Sequence, residues 1–209
     1  MDKYKKEKVL VVDTEIVNEF ASHTKGVEDC ENSGGILPYN KEFFDKLIYR
    51  NKFIPRYLAE DDVSYKQLIP YCIFKHENKY LSYTRTKDGG EERLHGRRSM
   101  GIGGHINPVD QYNKFFDEDS YNAGLHREIH EELKLDGGFN ISTLGFINDN
   151  SDNVGKVHLG VVHLIELDSP NVSANETAIG DLKFNTKEEL LNIIDVFENW
   201  SQYVIQIIK

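Results

Sequence analysis

Residues 127–135 read Arg-Glu-Ile-His-Glu-Glu-Leu-Lys-Leu, REIHEELKL, and the spacing of the three glutamates governs how the rest of the chain is read. Successive residues of an α-helix turn by about 100°, so Glu128, Glu131 and Glu132, at i, i+3 and i+4, share one face roughly 100° wide. Leu125, Ile129 and Leu133 form an adjacent i, i+4, i+8 stripe suited to packing on a sheet. One side of the helix is anchored while three carboxylates converge beside it. Exposed like charges at this spacing oppose one another by about 0.2–0.5 kcal/mol per pair, and by more where a cleft desolvates them. A divalent cation removes that penalty, and Mg2+ takes carboxylate oxygens together with substrate phosphates. A glutamate-rich amphipathic helix is also a common solvated surface, so the flanking sequence has to decide.

Upstream stands Gly101-Ile102-Gly103-Gly104-His105, approached by a strand-like segment, and then an acidic helix start, Asp117-Glu118-Asp119-Ser120. In this order the residues resemble the Nudix box, G-x5-E-x7-R-E-U-x-E-E-x-G-U with U apolar. Asp119, seven residues, Arg127-Glu128-Ile129-His130-Glu131-Glu132 and Leu135 match it, and Gly103-Gly104 stands where the first glycine belongs. There are three departures. Fourteen residues, 105–118, replace the usual five and imply an inserted loop containing Pro108, Tyr112, Phe115 and Phe116. Asp119 stands for Glu. Lys134 stands for the later Gly, so the helix end must be built differently, with Gly137-Gly138 as one option. Within the family the insert suggests a diverged, phosphoesterase-like subgroup.

The resemblance implies Mg2+ or Mn2+ held by the Gly103 carbonyl, Glu128, Glu131 and Glu132, with Arg127 paired to Asp119 to hold the loop. Glu128 or Glu131 is the implied general base. The family often adds a carboxylate from a later loop, for which Asp181 is preferred and Glu176 is the alternative. The implied reaction is attack of water on phosphorus in a phosphoanhydride of a nucleoside diphosphate linked to another moiety, or of a similar small phosphorylated molecule. Arg85 with Arg97 or Arg98 could orient the phosphates, an ordinary surface pairing with Glu91 and Glu92 being the alternative, and His105 is placed to touch substrate. The family pattern allows a homodimer, although no feature of the sequence demands one.

Two other functions share this fold. Isopentenyl diphosphate isomerases need a catalytic cysteine, and neither Cys30 nor Cys72 lies beside the Gly-Gly-His segment in sequence. A non-catalytic nucleotide-binding or regulatory module usually loses the box glutamates, and all three are present here. His126 and His130 have zinc-pair spacing but lie about 180° from Glu128 on the helix, which makes them packing or solvent residues. His158 and His163 fall on opposite faces of one strand, and Trp200 reads as a core anchor.

Outside the box, Val9 to Val12 form an apolar run. A polar loop through Gly34-Gly35 follows, then a helix capped by Asn40 and carrying Phe43, Phe44, Leu47 and Ile48. Residues 1–66 read as an N-terminal extension and 67–209 as the catalytic domain. Strands are expected between Leu68 and Ile106, with turns at His76-Glu77-Asn78 and Asp88-Gly89-Gly90, and from Lys156 to Leu167 with alternate residues buried. The spacing predicts helices over 119–134 and from the capping box at Thr186, the latter carrying Leu190, Leu191, Ile194 and Phe197. Strands around one central helix indicate an α+β or mixed α/β fold, and the resemblance specifies an α/β/α sandwich with the extension attached.

A net charge of −10 argues against a grip on nucleic-acid duplex through a basic surface. The short, charge-interrupted apolar stretches argue against a membrane span. Two cysteines outside any CxxC or zinc spacing fit a reducing compartment, so a cytoplasmic location is expected.

Overall fold

The structure, a computed structural model, describes residues 7–24, 34–88 and 94–209. Cys30, Gly89, Gly90, Glu91 and Glu92, all of which entered the sequence reading, lie outside the described residues. The chain begins β1 (Lys8–Asp13), α1 (Thr14–His23), β2 (Gly34–Pro38), α2 (Lys41–Tyr49), β3 (Asn51–Pro55), α3 (Arg56–Ala59). It continues β4 (Tyr65–His76), β5 (Lys79–Arg85), β6 (Arg98–Ser99), β7 (Gly101–Ile102), α4 (Glu118–Glu132), β8 (Leu133–Leu135). It ends β9 (Phe139–Asp149), β10 (His158–Leu167), β11 (Val172–Ala174), β12 (Ile179–Thr186), α5 (Lys187–Asn192), α6 (Asn199–Ile207). The fold is mixed α/β. Among the described residues no helix is long and apolar enough to cross a membrane.

The chain divides into two compact units, residues 1–70, 104–126 and 144–161 forming one and residues 71–103, 127–143 and 162–209 the other. In unit one, β1 pairs antiparallel with β3 and with the first residues of β4, Val12 facing Lys66. Val9 to Val12 have no exposure, which explains their unbroken apolar run. Asn40 caps α2 as the sequence predicts, its side chain accepting from the Phe43 amide at 2.8 Å. Phe43, Phe44, Leu47 and Ile48 are buried. The expected polar loop after Asp13 is instead helix α1. Ile16, Val17 and Ala21 are buried on it, and Phe20 stacks on Phe43 with ring centroids 3.9 Å apart. That i, i+1, i+4, i+5 stripe is an amphipathic helix signal, masked by the intervening Asn18 and Glu19. Within the insert, Pro108–Asp110 forms a 3-10 turn closed by Asp110, whose Oδ2 accepts from the Asn107 amide at 2.8 Å. Asp117 then accepts from the Ser120 amide at 2.9 Å and opens α4.

In unit two, β4 and β5 join through the expected His76-Glu77-Asn78 turn, with Glu77 at φ 53°. β5 pairs antiparallel with β12 and with β6, β4 pairs with β7, and β8 pairs with β11. β10 lies between β4 and β9 in hydrogen-bonded order. It is buried at nearly every position rather than alternately, as expected of a central strand.

The C-terminal helix differs from expectation as well. The Thr186–Glu189 capping box is present, but α5 stops at Asn192. A 3-10 turn at Ile194–Val196 precedes α6. The break is stabilised by the Phe197 carbonyl, which accepts from Arg97 at 2.6 Å and Gln202 at 2.8 Å, and it delivers Glu198 into the interior.

Candidate active site

The candidate site in unit two is built on the last turns of α4. Ile129 and Leu133 are buried, together with Leu125 earlier on the helix, so the apolar stripe anchors the helix as its sequence implies. The side chain of Glu128 is 13% exposed and that of Glu131 52%. Arg127 donates to Glu128 Oε1 at 2.8 Å and to Glu131 Oε2 at 3.1 Å, tying together two of the three box carboxylates. Asp119, its expected partner, is an exposed first-turn residue of α4 and belongs to unit one.

Glu132 carries the strongest electrostatic signature. Burial pushes its carboxyl up to about 8, and the neighbouring Glu128, Glu176 and Glu131 push the same way against the opposing pull of Arg85. Four carboxyl groups therefore share a region with Arg127, which pairs with two of them, and with Arg85, whose charge is engaged elsewhere. Arg85 donates through Nε to Glu198 at 2.9 Å, and Glu198 is 5% exposed. Tyr71 and Ser99 also donate to Glu198, and the ion pair holds the Arg85 guanidinium protonated well above its ordinary value despite burial. Glu198 was missed by the sequence reading because it lies 113 residues from Arg85, where spacing carries no signal.

The helix end is not built on Gly137-Gly138. α4 passes directly into β8, and Asn175 covers its last carbonyls. The Asn175 backbone N–H donates to Glu132 O at 2.8 Å, and its side chain donates to Glu131 O at 3.0 Å and His130 O at 3.2 Å. This explains why Lys134 can replace the box glycine: an asparagine from the segment after β11 substitutes for a left-handed glycine cap. It also brings Glu176, the next residue, into electrostatic range of Glu132.

Asp181 is placed differently. Its carboxylate is bonded to Arg98 and sits 3.3 Å from Lys183, with a side chain 60% exposed, and these cations hold it below the usual carboxylate range. Arg98 is itself committed to the structure, donating to Ser82 at 2.7 Å and Thr84 at 3.2 Å.

The glycine segment is fixed from the strand side. A Cβ on Gly101 would fall 1.9 Å from the Tyr71 ring, so only glycine permits that approach. Tyr83 donates to the Gly101 carbonyl at 2.9 Å, and Cys72 stands opposite Ile102. Cys72 thus neighbours the glycine segment in space although not in sequence, so separation along the chain does not exclude an isomerase. The chemistry still disfavours one, because burial with Glu132 and Glu128 nearby pushes the thiol far up and leaves it protonated. His163 is held neutral by burial, at about 3, in keeping with a core role. His105 belongs to unit one, where its Nε2 pairs with Gln67 Oε1 at 2.7 Å.

No protein-family model matches the chain. Protein YmaB of Bacillus subtilis (strain 168) is 35% identical over 156 residues, covering 72% of this chain and 75% of that protein. The crystal structure of Tm1382, a candidate Nudix hydrolase, superimposes with a TM-score of 0.77 at 27% identity, covering 96% of this chain and 97% of that one. The Nudix domain of Shewanella oneidensis NrtR, solved with ADP ribose, gives a TM-score of 0.51 at 13% identity over 68% of this chain and 84% of that one, a likeness of fold. On these likenesses the chain belongs to the Nudix hydrolase superfamily, in the family of Protein YmaB.

Proposed function

We propose that the protein hydrolyses a phosphoanhydride bond in a nucleoside diphosphate linked to another moiety, or in a similar phosphorylated small molecule, with Mg2+ or Mn2+ held at the carboxylate face of α4. The observation that carries this reading is Glu132, raised to about 8 by burial and by Glu128, Glu176 and Glu131. Such a concentration of carboxylate suits a hard divalent cation with oxygen ligands. Glu128, Glu131, Glu132 and the Gly103 carbonyl would hold it. Glu176 is preferred over Asp181 as the added carboxylate, because Glu176 acts on Glu132 while Asp181 is engaged by Arg98 and Lys183. A bound cation would supply charge neutralisation for the diphosphate, a lowered pKa for attacking water and stabilisation of the leaving oxygen.

The chain's own residues supply positioning and proton transfer. Arg127 holds Glu128 and Glu131 in a fixed relation, so either can accept the proton of attacking water. Arg85, oriented by Glu198, presents the cation assigned to substrate phosphate. Arg98 is assigned to supporting Asp181 at the irregularity in β12, since its two terminal nitrogens are engaged by Ser82, Thr84 and Asp181. The test is turnover of nucleotide sugars, dinucleoside polyphosphates, dinucleotides, oxidised nucleotides and simple phosphoesters with Mg2+ and Mn2+. Glu132→Gln keeps shape and removes charge. Wild-type turnover lost in this variant supports the reading; unimpaired turnover in the variant, or tight nucleotide binding without product in the wild type, overturns it.

A further inference from the structure

Unit one contains a second group of metal-capable side chains, of different chemistry. Glu60, immediately after α3, His105, at the start of the insert, and His158, the first residue of β10, place one ligand atom each within 4.8 Å of one another. The two imidazole rings have centroids 5.8 Å apart. Each of the three is oriented by an outer partner. Arg56 donates to Glu60 Oε1 at 3.0 Å, leaving the other carboxylate oxygen for a ligand. Gln67 pairs with His105 Nε2 at 2.7 Å, which fixes the orientation of that ring. His158 Nδ1 donates to the Val154 carbonyl at 2.7 Å, which leaves Nε2. A backbone carbonyl or side chain on the far nitrogen of each histidine, and a hydrogen bond on the carboxylate, is the outer arrangement that fixes tautomer and ring orientation at protein metal sites.

A further observation points the same way. Gln67 is fully buried, and its Nε2 has no hydrogen-bond partner among the described residues. A buried donor without an acceptor costs about 1–3 kcal/mol, and a water or anion carried by a bound ion would satisfy it.

We propose that Glu60, His105 and His158 form a binding site for a divalent transition metal of the zinc class. Two imidazoles and one carboxylate, with a position left for solvent, are a recurring donor set for such ions, whereas the all-carboxylate face of α4 suits Mg2+ or Mn2+. Zinc bonds of about 2.0–2.2 Å in a tetrahedral site require ligand atoms roughly 3.3 Å apart. Side-chain movement of up to about 1.5 Å, chiefly at the half-buried Glu60, closes the difference from 4.8 Å. The assignment is independent of the proposed hydrolysis.

The test uses the untagged full-length chain, stripped with chelator and then titrated with Zn2+ against a chromophoric competitor. A parallel Co2+ titration reads the visible absorption bands of a low-coordinate ion. The wild type is expected to bind one Zn2+ tightly and to give those bands. The Glu128→Gln, Glu131→Gln, Glu132→Gln triple variant should behave as the wild type in both. Glu60→Ala and His105→Asn should weaken Zn2+ at least about 10–100-fold and abolish the bands. Arg56 retains Glu7 as a partner at 3.1 Å in the Glu60 variant, and circular dichroism of the metal-free proteins establishes that both are folded. His158→Asn, at a buried position, is a third arm. The proposal is overturned if the wild type shows only the spectrum of hydrated Co2+, if folded Glu60→Ala and His105→Asn proteins bind as the wild type does, or if the triple variant alone loses the ion.

Discussion

The carboxylate face of α4 and the Glu60, His105, His158 group gather their side chains by opposite routes. The first takes three residues from one helical turn and a half, all oxygen donors, with Glu132 raised to about 8 chiefly by burial and further by its carboxylate neighbours. The second takes one residue each from the end of α3, the insert and β10, two of them nitrogen donors, and orients each through a separate neighbour. A site written on one helix is set by helical periodicity, so its geometry survives drift elsewhere in the sequence. A site drawn from three elements exists only once the fold has formed. The two should differ in their preferred ion and in their response to substitution.

The largest effect that separates them is catalytic. Glu132→Gln should lower turnover on the order of 10²–10³-fold, the loss typical of removing one electrostatic stabiliser, whereas Glu60→Ala should leave steady-state turnover within about twofold under saturating Mg2+. An equal loss in both would break the contrast. Next in size is Glu198→Gln, which removes the buried partner of Arg85. Breaking such a pair costs about 3–5 kcal/mol. The lower end is expected, because Arg85 keeps 29% of its side chain exposed. Denaturant unfolding reads this, and a change below about 1 kcal/mol would show that Arg85 has other support.

The pH dependence sharpens the comparison further. Glu132 holds its proton up to about 8 in the folded chain, against an ordinary value of 4.5. The folded state therefore binds more protons than the unfolded one between those values, and its contribution to stability is present below about 4.5 and lost as pH rises through 8. Thermal midpoints of the metal-free protein should lose this contribution across that window. Mn2+ should raise the midpoint more at pH 8 than at pH 5, and Glu132→Gln should remove the difference. Equal Mn2+ stabilisation at both pH values in the wild type would contradict the assignment. The smallest effect belongs to the helix end. Asn175→Ala deletes the side-chain bonds to the His130 and Glu131 carbonyls and should cost about 1 kcal/mol, a fall of roughly 2–4 °C in Tm for a chain of this size.

Residues governed by local periodicity could be read from the sequence. The leucine stripe, the Asn40 cap, the Thr186 capping box and the hairpin at Glu77 all follow from spacing or turn chemistry within a few residues. Arg85 was singled out, but Glu198, which fixes it, lies 113 residues away. Asn175 replaces the missing box glycine from more than forty residues downstream, which no helix-end rule anticipates. His105 and His158 were each noticed singly, and nothing in the sequence couples them to Glu60 or to one another. Helix α1 is a different case, since its apolar stripe was present but divided by polar residues. The end of α5 was misplaced because hydrophobic periodicity runs on through Ile194 and Phe197 while the backbone turns to bury Glu198.

The central claim, that the carboxylate face of α4 holds the divalent cation, is tested most directly by Mn2+ binding, followed through the electron paramagnetic resonance signal of the free ion. Wild-type protein is expected to remove that signal with an affinity that rises from pH 6 to pH 8 and to lose it progressively in Glu128→Gln, Glu132→Gln and the triple variant. Mn2+ binding of equal affinity in the folded triple variant would contradict the account.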